Sequence, residues 1–414
     1  MDRTKEDLPL QIDVPQSGRK QICCDMRQIL WEEHVMACQA LNESFFVHGT
    51  QVDIGILDFS KAFDVVPHTR LLNKLRFYGL SAEVCQWIGN FLKGRSQQVI
   101  VDGVASQSES VDSGVPQGTV LGPLLFLLFI NDIGININTG TSIRLFADDC
   151  LIYRPIHSHQ DQVLLQKDLS SLQTWSTTWG MNFNPSKCNV LRTRVGQRGA
   201  INYFYTLHDQ ILAEVDTVKY LGVWISNDLS WTPHVDYVTK KGNQKLGFLR
   251  RNLRGAPTPS KSLAYTSLVR SGLEYAAPIW DPYKIKDTNK IEAIQRKAAR
   301  WAKSAYSPHT SVTGLLQDLG WSGLGDRRMI LRLTLLYKIY FHQVGIEHTE
   351  VGIIPNPRPS RKNSFQILRP RSRKSPYTNS LILRTIPEWN NLPDSTIMAG
   401  SASDFKNRFS ATQP

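Results

Sequence analysis

The feature that most constrains the fold is a pair of adjacent aspartates near the middle of the chain. Residues 146–149 read Phe-Ala-Asp-Asp, with apolar, strand-like runs on both sides. Like charges this close raise each other's pKa and cost free energy unless a cation neutralises them. The flanks predict a β-hairpin with the acids in its turn. A solvated Asp-Asp turn is the common alternative, so the pair indicates chemistry only if it has a partner elsewhere.

The composition is that of a basic globular protein. The chain has 414 residues, enough for two or three domains, with 41% hydrophobic and 20% charged residues. Lys and Arg number 48 against 36 Asp and Glu, a formal charge of +12. The excess lies in residues 228–310, with 15 basic and six acidic residues, whereas residues 1–50 hold five and eight. Such a distribution indicates a nucleic-acid partner rather than a membrane.

The six cysteines form no CxxC pair and no Cys/His spacing, so neither a zinc site nor a disulfide framework is predicted. The sequence shows no signal peptide, which favours an intracellular location in the nucleus or the cytoplasm rather than secretion. The longest apolar run, residues 120–130, is too short to span a bilayer and predicts a buried helix.

Apolar periodicity predicts a mixed α and β region followed by helices. The predicted elements are a helix around 25–42, a strand at 52–59, helices between Pro67 and Gly79 and between Ser81 and Gly94, a hairpin around Asp102-Gly103, a helix at 159–179, and strands at 188–193 and 218–226. Beyond Asp228, helices carry Lys and Arg on their polar faces. Residues 355–376, rich in Pro, Ser and Arg, predict an extended basic linker.

A partner for the paired aspartates stands at the end of the first predicted strand. Asp58 closes the run VDIGILD. If this strand pairs beside the hairpin of residues 146–149, three carboxylates meet at one edge of a sheet. That arrangement suits two divalent cations in phosphoryl transfer. Mg²⁺ fits because it takes few carboxylates and keeps positions for triphosphate oxygens and water.

Five segments resemble the successive signature blocks of reverse transcriptases, most closely those of non-LTR (LINE-type) retrotransposons. The segments are LDFSKAFDVVPH (57–68), SGVPQGTVLGPLLFLLFIND (113–132), FADD (146–149), WGMNFNPSKCNVL (179–191) and VKYLGVWIS (218–226). RTIPEWNNLPD (384–394) and DFKNRF (404–409) are similar to the tail of such elements. The resemblance implies an α+β fold: a right-hand polymerase palm, in which helices pack on an antiparallel sheet, followed by an all-helical thumb.

The resemblance also implies roles for single residues. Asp58, Asp148 and Asp149 match the metal-binding catalytic aspartates. The ring of Phe63 matches the aromatic that clashes with a ribonucleotide 2′-OH. The other implied contacts are to dNTP and template by Pro116, Gln117, Gly118 and Lys187, with Lys187 a candidate acid for pyrophosphate, and to the primer terminus by Tyr220, Leu221 and Gly222. From the residues alone, Phe63 is more simply a core aromatic, and the others are ordinary turn or strand-end residues.

The basic helices match a thumb that contacts nucleic-acid backbone. Its candidate contacts are Lys240, Lys241, Lys245, Arg250, Arg251 and Arg254. A solvated helix face is the default for such charges, but the net +9 of residues 228–310 favours phosphate contact with little sequence preference. The expected domains are a residual fingers segment (1–50), the palm (51–227), a thumb and connection (228–350), and a linker with a C-terminal tail (351–414).

The resemblance departs from the family pattern at the N-terminus. A fingers region with basic residues normally precedes the first aspartate, whereas residues 1–50 are net acidic. The sequence therefore predicts an N-terminally truncated RNA-directed DNA polymerase that binds dNTPs weakly. It would use an RNA template, a DNA primer, dNTPs and two Mg²⁺ ions, or Mn²⁺. The alternative is a catalytically silent nucleic-acid-binding remnant of such an element. The sequence does not predict an oligomeric state.

Overall fold

The computed structural model describes residues 50–193, 201–370 and 375–412. The predicted helix around 25–42 and the fingers segment up to residue 49 lie outside these residues. The strands are β1 (Gln51–Leu57), β2 (Ser96–Gln97), β3 (Ile100–Val101), β4 (Val104–Ala105), β5 (Glu109–Ser110), β6 (Ser142–Phe146), β7 (Asp149–Ile156), β8 (Asn189–Arg192), β9 (Thr206–Leu207), β10 (Gln210–Ile211), β11 (Ala213–Val215), β12 (Thr217–Tyr220) and β13 (Val223–Ser226).

The helices complete a mixed α and β fold, as the sequence predicts. They are α1 (His68–Phe77), α2 (Ala82–Leu92), α3 (Leu121–Ile130), α4 (His159–Trp179), α5 (Thr232–Asn252), α6 (Thr258–Ala264), α7 (Ser271–Glu274), α8 (Ala277–Trp280), α9 (Ile285–Ala302), α10 (Val312–Asp318), α11 (Leu324–Tyr340), α12 (Ser375–Thr378), α13 (Leu381–Asn390), α14 (Asp394–Ile397) and α15 (Ala402–Thr412). A π-helical segment, Tyr265–Arg270, joins α6 to α7. No described helix is long and apolar enough to cross a membrane.

A five-stranded sheet forms the centre of the first half, in the order β11-β8-β1-β7-β6. Strand β1 is central and pairs antiparallel with both β7 and β8. Its near-continuous apolar sequence suits this position, because both faces of the strand are covered. Gly55 allows the close packing: a Cβ at this position would stand 2.9 Å from Cγ2 of Ile152 on β7.

One face of the sheet is covered by helices α1 to α4. Their apolar stripes form a core that includes fully buried Leu71, Phe126 and Phe129. The start of α2 follows its sequence signal, because the Ser81 hydroxyl accepts the backbone N–H of Val84. The predicted helices 67–78, 81–93, 120–130 and 159–179 are confirmed as α1 to α4.

The β12–β13 hairpin covers the other face of the sheet. Val218, Tyr220 and Ile225 pack against Val52 and Leu151 of the sheet. The two-residue turn, Leu221-Gly222, has φ values of 45° and 86°, the left-handed pair that joins twisted antiparallel strands. A two-stranded hairpin can bury only one of its faces against the sheet. Its opposite face packs against α5.

The helical region that begins at α5 is built on one continuous core. Its buried residues run from Val223 to Phe409, so the core includes the C-terminal helices as well as α5 to α11. Asp281 lies inside this region and pairs with three arginines: Arg328, Arg332 and Arg384. Arg328 and Arg332 are each 2% exposed. The ion cluster therefore ties α11 and α13 to the segment after α8.

Residues 355–370 differ from the predicted extended linker. The segment folds back through the pairs Pro355↔Ile367 and Ser360↔Asn363. Asn363 is fully buried and donates to the carbonyl of Trp389. The prediction is wrong here because a few apolar and amide side chains, hidden among many Pro and Arg residues, anchor the segment. The remaining basic residues of the predicted linker, Arg371, Arg373 and Lys374, lie outside the described residues.

Candidate active site

Three carboxylates meet where three strands of the sheet end. Asp58 follows β1 directly, Asp148 lies in the two-residue turn between β6 and β7, and Asp149 opens β7. The pairing Leu57↔Cys150 brings the end of β1 beside the start of β7, so Asp58 and Asp149 are neighbours across the two strands. Ala147, the other turn residue, has a φ of 52°, a strained conformation for alanine that fixes the direction of Asp148.

The pKa values of Asp148 and Asp149 are both raised above the usual value of an aspartate. Burial raises the pKa of Asp148 above its usual value, the Asp58 charge raises it further, and nearby Lys187 opposes this rise. Asp149 is reached by solvent, yet the surrounding protein atoms raise its pKa to about 6, with added contributions from Asp148 and Asp58. Three like charges in partial burial form a site that favours a cation.

Asp58 is held in place by the segment before β8. Its backbone N–H donates to Sγ of Cys188 at 3.4 Å, and its carbonyl accepts the N–H of Asn184 at 2.8 Å. Lys187 lies in the same segment, and its Nζ is 3.6 Å from Oδ2 of Asp58. Both side chains of this ion pair are open to solvent, so its contribution to stability is small. Its effect is to place a positive charge beside the carboxylates.

Phe63 and the loop 113–118 lie next to each other, joined by backbone hydrogen bonds. The Phe63 ring stacks on Phe126 with centroids 4.3 Å apart and stays partly exposed. The loop docks on the Phe63-Asp64 backbone, where Val115 donates to the Phe63 carbonyl at 2.8 Å. At Gly114, with φ +82°, a Cβ would lie 2.7 Å from the Asp64 carbonyl oxygen. Only glycine permits this docking.

The side chains of the loop differ in their surroundings. Gln117 donates to Oδ1 of Asp64 at 3.3 Å. Gly118 has a φ of +79° and open space around its Cα. The carbonyl of Pro116 accepts the Thr119 hydroxyl at 2.8 Å. The structure therefore brings Phe63, Pro116, Gln117 and Gly118 into one surface.

Residues 15–225, more than half of the chain, match the family described as reverse transcriptase (RNA-dependent DNA polymerase). The chain belongs to the reverse transcriptase family. Similar proteins include the RNA-directed DNA polymerase from mobile element jockey of Drosophila funebris, 29% identical over 260 residues, which are 59% of this chain and 27% of that protein. Another is the probable RNA-directed DNA polymerase from transposon X-element of Drosophila melanogaster, 27% identical over 251 residues. That alignment covers 59% of this chain and 27% of the X-element protein.

This reverse transcriptase chain spans about a quarter of the length of these curated relatives. The predicted resemblance to retrotransposon reverse transcriptases is confirmed by them. Among solved structures, the alignment with apo telomerase from Candida Tropicalis covers 70% of this chain and 51% of the telomerase chain, at 10% identity and a TM-score of 0.40. A likeness at that level adds nothing to the assignment.

In the β12–β13 hairpin of this reverse transcriptase chain, the tip is more exposed than Tyr220 in the strand before it. Tyr220 is 2% exposed, and its side chain packs on the sheet. Leu221 and Gly222 are partly exposed at the tip. The hydroxyl of Tyr275 donates to the Leu221 carbonyl at 2.9 Å, which fixes the tip to the helical region.

The six basic residues that the sequence assigns to backbone contact are all exposed, and all but Arg254 lie on α5. Lys240, Lys241, Lys245, Arg250 and Arg251 belong to the helix, and Arg254 follows it. The apolar residues between them, including Val238, Leu246 and Leu249, are buried in the helical core. The helix therefore presents a basic face to solvent.

The carboxylate group fits a metal that takes its remaining ligands from a substrate. In the described part of the chain, no group of three or more His, Cys, Asp or Glu side chains is arranged to hold a metal ion alone. The donors at the sheet edge are carboxylate oxygens only, which suit Mg²⁺ and not a soft metal. The pKa values of Asp148 and Asp149 are raised, first by burial and then by the neighbouring carboxylates, and a bound cation would stabilise their charged forms.

Two contacts of the site carry no signal in the sequence. In the sequence, Cys188 is only a cysteine outside any metal-binding spacing. In the structure its sulfur accepts a hydrogen bond from the backbone N–H of Asp58. Asp64 supports both the loop and Gln117, although it follows Phe63 in the chain as an ordinary turn residue. Both contacts join segments far apart in the chain, and such contacts leave no local pattern.

Proposed function

We propose that this chain is an RNA-directed DNA polymerase that transfers deoxynucleotides to a primer 3′-OH. The observation that carries the proposal is the meeting of Asp58, Asp148 and Asp149 at one sheet edge in a member of the reverse transcriptase family. Residues 51–227 then act as the palm, and residues 228–350 as the thumb and connection.

Asp58 and Asp148 would hold the divalent cations, with Asp149 as the third, less directly binding carboxylate. Two Mg²⁺ ions, when bound, would neutralise the carboxylates and polarise the primer 3′-OH and the triphosphate. Cys188 and Asn184 keep Asp58 at the end of β1, where its carboxylate faces the turn that carries Asp148. The chain thus supplies a fixed set of anionic oxygens at the site of reaction.

Side chains around the carboxylates orient the substrates. Lys187, whose Nζ lies 3.6 Å from Oδ2 of Asp58, would neutralise a triphosphate and give a proton to the departing pyrophosphate. Phe63, supported from below by Phe126, would exclude a 2′-OH. The loop of Pro116, Gln117 and Gly118 would lie against the new base pair, with Gly118 leaving room for close approach.

A catalytically silent nucleic-acid-binding protein is the second candidate. It is favoured by the exposed basic side chains of α5, which are far in the chain from the three carboxylates. The basic face of α5 would serve this function equally well, because phosphate contacts need no catalysis.

Primer extension on poly(rA)/oligo(dT) with Mg²⁺ separates the two candidates. The polymerase proposal expects template-dependent incorporation of dTTP by the full chain, abolished when EDTA replaces Mg²⁺. Binding of the same template-primer with no incorporation at any Mg²⁺ or Mn²⁺ concentration would support the silent protein instead.

Replacing the ring of Phe63 should weaken the discrimination against ribonucleotides. For Phe63→Val we expect the ratio of kcat/KM for dTTP over that for UTP to fall by roughly 10- to 100-fold, the range that rejection of one hydroxyl supplies in an apolar pocket. The measurement is single-nucleotide incorporation with each triphosphate in turn.

The control for that variant is Phe183→Leu, which thins a buried aromatic stack with Phe59 away from the loop. General loosening of the core should lower incorporation of both triphosphates together and leave their ratio unchanged. A Phe63→Val ratio equal to that of the control would assign Phe63 to packing alone.

Nucleic-acid binding should depend on salt through α5. Neutralising Lys240, Lys241, Arg250 and Arg251 to Gln should reduce the slope of log K against log salt by about 0.7–0.9 for each phosphate that the helix no longer neutralises. The matched control neutralises Arg358, Arg361, Lys362 and Arg369, which are equally exposed but lie in the folded-back segment. If the control variant changes the slope and the α5 variant does not, the binding surface lies at residues 358–369.

A further inference from the structure

A cavity of about 320 Å³ lies between the tip of the β12–β13 hairpin and the helical region. Its walls come from four elements: the hairpin with Lys219 and Gly222, α5 with Lys241, the π-helical segment with Val269, and α7 with Gly272. The cavity is set apart from the carboxylates, whose residues do not line it. Its volume is at the small end of the range for sites that hold small organic ligands, roughly 300–1,000 Å³.

Three ammonium groups around this cavity have no carboxylate partner among the residues that the structure describes. Lys219, Lys241 and Lys245 line it, and none of the ion pairs in the described ranges involves any of the three. A Cβ on Gly272 would be 3.3 Å from Nζ of Lys245, so this ammonium lies close over the glycine. Three uncompensated positive charges around one concave site favour an anion of high charge density, such as a phosphate.

The rest of the lining is made mainly of rings, valines and glycines. The rings are those of Tyr237, Tyr275 and His234, and Val238 and Val269 also line the cavity. Lys219 places its Nζ 5.3 Å from the centre of the Tyr237 ring, so this tyrosine has one face near a cation. Inorganic phosphate alone would gain nothing from these surfaces, whereas a planar base can stack on a tyrosine.

From these contacts we infer that the cavity binds one nucleoside phosphate unit, with the phosphate on the three lysines and the base against the tyrosines. The inference rests partly on the proposed nucleic-acid binding of α5, because the unit can belong to a bound strand. It can also be a free nucleotide, since the chemistry of recognition is the same. Tyr275, which also holds the Leu221 carbonyl, makes the hairpin tip part of this second site.

Photo-crosslinking tests the inference in a way that is independent of polymerisation. The full chain is irradiated in EDTA with one of two probes: a single-stranded oligo(dT) that carries one 5-iodouracil, or free 5-iodo-2′-deoxyuridine monophosphate. Mass spectrometry then maps the attached residue. We expect attachment to Tyr237 or Tyr275. Attachment from the oligonucleotide assigns the site to a strand, and attachment from the monophosphate assigns it to a free nucleotide.

Two triple variants with equal loss of charge provide the control. Lys219→Gln, Lys241→Gln and Lys245→Gln together should reduce the cross-link yield per bound probe by roughly tenfold or more, because each removes a phosphate-binding ammonium from the cavity. Arg358→Gln, Arg361→Gln and Lys362→Gln together should leave that yield within about twofold, since these exposed residues lie in the folded-back segment and do not line the cavity.

Attachment outside the cavity with both probes, or an equal loss of yield in both variants, would overturn the inference. If the first triple variant does not fold, Lys245→Gln alone should show a smaller loss of the same kind. Competition by inorganic phosphate as strong as that by the unlabelled nucleoside monophosphate would also overturn it, since the tyrosines would then have no part. Because the assay contains no divalent cation, its failure is distinct from a failure of primer extension.

Discussion

Asp148→Asn abolishes primer extension while leaving the affinity for template-primer unchanged: this is the expected result at the carboxylate site. Asparagine keeps the shape of the side chain and fits the turn between β6 and β7, but it removes a charge that would hold a divalent cation. Loss of a metal ligand removes several kcal/mol of transition-state stabilisation, so extension should fall by roughly 10³-fold or more. The readout is the single-turnover rate on poly(rA)/oligo(dT), with binding measured separately by filter retention.

A matched substitution at another hairpin turn controls for this result. Asp102 is exposed in the turn between β3 and β4 and has a φ of 51°, a conformation that asparagine also tolerates. Asp102→Asn therefore removes one negative charge from a similar turn, far from the carboxylates in the chain, and should leave the rate unchanged. Extension by Asp148→Asn at the rate of Asp102→Asn would remove the catalytic role assigned to Asp148.

The largest expected effect on stability concerns Asp281. Its carboxylate accepts Nε of Arg328 at 2.6 Å and Nε of Arg332 at 2.9 Å, and Arg384 lies 3.3 Å away. Asp281→Asn would remove the counter-charge of the buried Arg328 guanidinium and leave buried Arg332 with its second partner, Glu388. Breaking a buried pair by removing one partner costs about 3–5 kcal/mol, so the helical region should unfold at markedly lower urea concentration.

An exposed ion pair in the same region provides the comparison. Asp318 lies 3.3 Å from Lys303, and its side chain is 63% exposed. Asp318→Asn should cost no more than about 1 kcal/mol, because solvent screens the pair. Urea unfolding followed by circular dichroism measures both variants. Equal urea midpoints for the two variants would mean that the arginines around Asp281 find other partners. The Asp281 cluster would then not be needed to hold α11 and α13 on the core.

Elements with a strong local pattern could be predicted from the sequence. The helix predicted at 159–179 has the bounds of α4, because its apolar spacing and the final glycine are local signals. The turn with Asp148 and Asp149 was predictable for the same reason, since two apolar runs flank the acids. The proximity of Asp58 was a hypothesis about strand pairing, which no local signal could decide.

Contacts between distant segments could not be predicted. The buried network of Asp53 joins the hydroxyl of Tyr205 and the amide of Gln162 to one carboxylate, although 152 and 109 residues separate them from it. The prediction for residues 355–370 is wrong because composition describes the average of a segment, whereas a few residues such as Asn363 and Ile367 anchor it. Prediction from composition fails where a few residues anchor a segment and the residues around them differ in polarity.

The β12–β13 hairpin limits how this chain can vary by insertion. Alternate side chains of its strands serve different neighbours: Val218 and Tyr220 pack on the sheet, while Lys219 and Trp224 contact Tyr237 of α5. One added residue in β12 would exchange the two sets within that strand, placing Lys219 against the sheet and exposing the buried Tyr220. Length changes in this part of the chain should therefore come in steps of two residues.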